Sequence, residues 1–102
     1  MGLSSHINVW NTCLRILRQR GFDLRVEGEL GADGCYPTDA TWTAEKDGFY
    51  FRADNPIELL GLVAVHDHVR PREDLPYWWT VDGPDLYTEL MEAAFRDPGD
   101  AG

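Results

Sequence analysis

The dipeptide Asp47-Gly48 constrains this chain more than any other feature. It separates Thr41-Trp42-Thr43-Ala44 from Phe49-Tyr50-Phe51, two short runs rich in aromatic and β-branched residues. A tight hairpin needs turn residues that accept positive φ, and Asp-Gly accepts it at little steric cost. Upstream, Phe22, Leu24 and Val26 alternate with Asp23, Arg25 and Glu27, the period of a half-buried strand within residues 22–30. Gly31, Gly34 and Pro37 punctuate a loop running to about Asp39. The pattern predicts a three-stranded antiparallel meander.

Helices are predicted on either side of it. Ile7, Trp10, Cys13, Leu14 and Leu17 recur at intervals of three and four behind Ser4-Ser5, which offer capping hydroxyls. Asn8, Asn11, Arg15 and Arg18 fill the opposite stripe, and Gly21 ends the helix. Asp54-Asn55-Pro56 opens a second helix whose body, Ile57 to Val65, is apolar on nearly every side. Such a helix is expected in the centre of the packing, with Gly61 marking a close approach to a neighbouring backbone. The β-branched Val63 and Val65 leave a strand reading of residues 62–66 open. Residues 66–76 read as a loop and Tyr77 to Val81 as a short fourth strand. Asp82-Gly83-Pro84 then starts a third, amphipathic helix through Leu86, Tyr87, Leu90, Met91, Ala94 and Phe95, with Asp97-Pro98-Gly99 as its stop. The expectation is one α+β domain over residues 1–102, with 96–102 as a fraying tail.

Composition then removes classes of function. Eighteen acidic residues against nine basic ones leave a net charge of −9. Nucleic acid and anionic membranes both demand a basic surface, so neither is an expected partner. No apolar run approaches the roughly 20 residues of a membrane span. The first residues interleave polar and apolar groups unlike a signal peptide, and His6 stands where an N-myristoylation motif takes Ser or Thr. Two cysteines, Cys13 and Cys35, in unlike settings suit free thiols in the cytoplasm.

The charge is also polarised. Residues 1–29 carry four arginines against three acids, whereas residues 30–102 carry five bases against fifteen acids. Asp85, Glu89 and Glu92 fall on one face of the third helix, beside the aromatic run Tyr77-Trp78-Trp79. On a strand, Trp78 and Trp79 would point to opposite faces, with Trp42 and Tyr50 sharing the outer one. Aromatic anchors ringed by charge are the composition of protein interfaces.

Catalytic and metal chemistry find less support. His66-Asp67-His68 is the one crowding of metal-type ligands in the sequence. His66 and His68 could share an ion on an extended segment with Glu73 or Asp74, but on a helix they diverge. Cys35 beside a histidine would make a nucleophile, yet the nearby Asp33 disfavours its thiolate. Gly28, Gly31 and Gly34 match neither phosphate-binding fingerprint, and no cofactor is expected.

The expected function is therefore a non-enzymatic protein-binding module. Asp85, Glu89, Glu92, Tyr77, Trp78, Trp79 and Trp42 would engage a basic protein partner. A small acidic α+β domain with surface aromatics is similar in general type to bacterial immunity proteins and phage-encoded inhibitors. That likeness implies masking of a basic surface and rests on no shared motif. Two alternatives are a small-molecule or metal-binding domain centred on His66, His68 and residues 70–79, and a structural domain that homodimerises through an exposed tryptophan face.

Overall fold

The computed structural model describes residues 2–36 and 39–96, so the stop at Asp97-Pro98-Gly99 and nearly all of the expected tail lie outside the described residues. Those residues form a small α+β domain with three helices and a three-stranded antiparallel sheet. The order is α1 (Ile7–Gln19), β1 (Asp23–Glu27), β2 (Thr41–Lys46), β3 (Phe49–Ala53), α2 (Pro56–Val69) and α3 (Leu86–Ala94).

The hairpin forms where the sequence places it. Asp47 and Gly48 take φ of 53° and 84°, and Lys46 pairs with Phe49 across the turn. Register then sorts the side chains. Leu24, Ala44 and Phe51 lie across from one another on one face, as do Val26, Trp42 and Ala53. Both α1 and α2 pack on the sheet. The core between them is Leu17, Phe22, Ala44, Phe49, Phe51, Leu59 and Val63. The other face carries Arg25, Thr43, Glu45, Tyr50 and Arg52, so Tyr50 and Trp42 are on opposite faces rather than sharing one. Register was what the sequence pattern left free.

Helix ends explain several departures from expectation. The α1 N-cap is His6, not a serine: its Nδ1 accepts the Asn8 amide at 3.1 Å. At the other end the Phe22 amide donates to the Leu17 carbonyl and Gly21, at φ 91°, donates to Arg18. That pair of bonds is the glycine C-terminal motif that turns the chain into β1. Asn55 caps α2 by accepting the Glu58 amide at 2.9 Å, with Pro56 in the first helical position. The helix continues to Val69, four residues beyond the apolar run, so residues 62–66 are helical and 66–69 are not loop.

His66 helps hold that last turn. Its ring centroid lies 4.4 Å from that of Phe49 and 5.5 Å from that of Trp78. Arg20 of the α1 terminus also donates to the Asp67 carboxylate.

Residues 76–79 form a turn instead of the expected fourth strand. Tyr77 takes φ 61°, which breaks any extended run there, and Trp78 folds in against Phe49 and Phe51 at 5.8 and 6.3 Å. Beyond Trp78 the chain leaves the core. The Cα radius of gyration is 17.9 Å, against about 13 Å for a compact domain of about 100 residues.

Candidate functional surface

The third helix buries no residue. It starts three residues after the expected Asp82-Gly83-Pro84 signal, because Asp85 is the better-placed cap. The Asp85 carboxylate accepts the Thr88 amide at 3.1 Å and the Thr88 hydroxyl at 2.8 Å. These two bonds, the amide bond contributing most, hold the Asp85 carboxyl below its ordinary range.

The apolar stripe of α3 faces solvent. Leu86 is 56% exposed, Tyr87 74%, Leu90 66% and Phe95 75%. Glu89 and Glu92 are exposed and flank that stripe on one side, given about 100° of rotation per residue. Asp85, Glu89 and Glu92 thus share one region as expected, although Asp85 is occupied by its capping role.

The aromatic run divides. Tyr77 and Trp79 are exposed, with ring centroids 5.7 Å apart, and Trp78 is half-buried in the box with His66. Trp42 belongs elsewhere: it is half-buried against the core and meets Trp10 edge-on at 6.0 Å. It does not join Tyr77 and Trp79 in one patch.

Trp42 instead floors a second surface, whose other residues were not among the expected site residues. A groove of about 280 Å³ runs between α1 and the edge strand β1, over Leu14, Leu24 and Trp42. Arg15, Arg18 and Arg25 rim it. At Val26 and Trp42 it meets a larger apolar hollow of about 610 Å³ lined by Ile7, Trp10, Leu30 and Tyr36. Among the described residues Arg15 and Arg18 make no ion pair, and Arg25 reaches Asp23 only at 3.5 Å on the surface. The signal was present in the sequence as the Asn11-Arg15-Arg18 stripe and the arginine excess of residues 1–29. What it lacked was the apolar floor, which only the fold assembles.

Because α2 is helical through Val69, His66 and His68 project about 200° apart and do not converge on one ion. No group of three His, Cys, Asp or Glu among the described residues could hold a metal ion. Cys13 is buried, which pushes its thiol up, and Cys35 is exposed in the 31–36 loop. Asp33 accepts the Cys35 amide at 3.1 Å, which with the thiol contact holds its carboxyl below the ordinary range.

The outer side of α2 is bare as well. Leu62 and Val65 are exposed, and a Cβ on Gly61 would meet nothing within 4 Å. The expected close approach at Gly61 is absent, and α2 is buried on one face only. No described helix is long and apolar enough to cross a membrane. No protein-family model, curated protein or solved structure matches the chain.

Proposed function

We propose that this chain is a non-enzymatic protein-binding module whose recognition element is α3. The observation that carries the reading is a helix with an intact cap and a full apolar stripe, yet no buried residue. Isolated helices shorter than about 12–15 residues are marginal in water. Nine residues with leucine, tyrosine and methionine facing out are therefore built to be covered.

Glu89 and Glu92 beside the stripe favour a partner whose apolar groove has a basic rim, with charge steering the encounter and apolar side chains holding the complex. Tyr77 and Trp79 are exposed in the segment leading to the helix and extend the contact. Masking a basic surface in this way is the action of an inhibitor or immunity-type protein. The exposed free Cys35 thiol suits a reducing, cytoplasmic setting.

The test is a photo-crosslinking residue at Leu90 in the full chain. Capture of a protein chain there, weakened by Glu89→Lys with Glu92→Lys and by raised salt, is the expected result. Crosslinking to no protein, or a yield indifferent to both changes, removes the reading.

A further inference from the structure

Resting on that reading of α3, we infer that the helix docks on a second copy of this chain, in the arginine-rimmed groove between α1 and β1. The two surfaces match in three independent respects.

The first is charge. In a protein of net charge −9, Arg15 and Arg18 of α1 and Arg25 of β1 all line this groove, and α3 carries Glu89 and Glu92 beside its apolar stripe. On so acidic a protein an acidic helix meets like charge over much of the surface; here it meets guanidinium groups.

The second is spacing. Arg15 and Arg18 stand three apart on α1, and Glu89 and Glu92 stand three apart on α3. Two helices laid side by side can therefore set both carboxylates against both arginines at once. Asn11 and Asp85 continue the two rows, each four residues before its first charged neighbour.

The third is size and polarity. The Ile7-to-Arg18 stretch of α1 is about 17 Å long and α3 about 14 Å, at about 1.5 Å per residue. The groove floor (Leu14, Leu24, Val26, Trp42) is apolar, as is the edge of the stripe at Leu86 and Leu90 that borders Glu89 and would enter it. Reciprocal docking buries both α3 helices. Aromatic side chains bury about 150–250 Å² each. Tyr87, on the Leu90 side of the helix, adds an aromatic side chain from each copy to that contact.

This interface differs from a homodimer through an exposed tryptophan face, because its tryptophan, Trp42, contributes from the groove floor.

Sedimentation of the full chain over a concentration series provides the test, combined with a charge swap. Wild type is expected to self-associate. Glu89→Lys with Glu92→Lys, and separately Arg15→Glu with Arg18→Glu, should each weaken association by about ten-fold or more. Mixing the two variants should recover it, since a lysine helix then meets a glutamate rim. The helix variant alters no residue of the core, so its fold provides the control. A wild-type chain that stays monomeric at sub-millimolar concentration overturns the inference, as does a mixture that fails to recover.

The Leu90 crosslink separates this failure from failure of the underlying reading. A product of twice the chain mass supports docking on a second copy. A product with a different protein overturns it and leaves the proposed function standing. No intermolecular product overturns both.

Discussion

The α/β body and the third helix are built from similar local chemistry and reach opposite ends. Both α2 and α3 start from a side-chain cap, Asn55 on the Glu58 amide and Asp85 on the Thr88 amide. Both carry enough leucine to drive burial. Yet α2 places Leu59 and Val63 at 0% exposure, while α3 leaves every residue accessible. Local sequence specifies the helix; whether it is covered depends on what stands opposite. For α2 the sheet supplies a partner within the chain. For α3 no element of the described residues stands opposite, and all of its residues stay accessible.

The sharpest way to break this contrast is to remove a leucine from each helix. Leu59→Ala should lower unfolding free energy by about 2–5 kcal/mol in denaturant titration. Leu90→Ala in dilute protein should change it by less than about 0.5 kcal/mol. Comparable losses at the two positions would mean that α3 packs on its own body.

A second contrast concerns the caps. Asn55→Ala should cost about 1 kcal/mol of global stability. Asp85→Ala should reduce helicity at residues 86–94 by NMR chemical shift and leave the melting temperature of the dilute chain in place. His66 offers an effect of similar size and opposite sign. Among the described residues its two ring nitrogens are buried without a hydrogen-bond partner, amid Phe49, Phe51 and Trp78. His66→Phe is therefore expected to stabilise the body by about 1 kcal/mol, since it removes unsatisfied polar atoms and keeps the aromatic contacts. A destabilised variant would show that the imidazole has a polar role.

The smallest effect is that of pH on α3. The folded Asp85 carboxyl sits below its unfolded value, so its cap contributes fully above the ordinary carboxylate range. That contribution is lost as pH falls through the lower folded value. Helicity at residues 86–94 should hold down to mildly acidic pH and drop below it, and Asp85→Asn should flatten the profile.

How much of this was legible in the sequence follows from how local each signal is. Asp47-Gly48 and Asn55-Pro56 act on their own neighbours, so the hairpin and the start of α2 could be placed. The fourth strand failed because Tyr77 adopts positive φ so that Trp78 can reach the Phe49-His66 box, a tertiary demand overriding aromatic strand preference. The acidic helix face was readable because helical spacing alone puts Glu89 and Glu92 together. The groove was not, since its floor joins Leu14 to Leu24 and Trp42 from three elements. The same limit separated Trp42 from Tyr77 and Trp79: proximity of type does not give proximity in space.

Amide hydrogen exchange at two protein concentrations tests most directly whether α3 is covered only from outside its own chain. In dilute protein, amides of residues 90–94 should exchange nearly as fast as an unstructured chain while those of 60–66 stay protected. At concentrations where copies associate, protection should spread to α3 and to no part of α2. Protection of α3 equal to that of α2 in the dilute monomer would contradict the account.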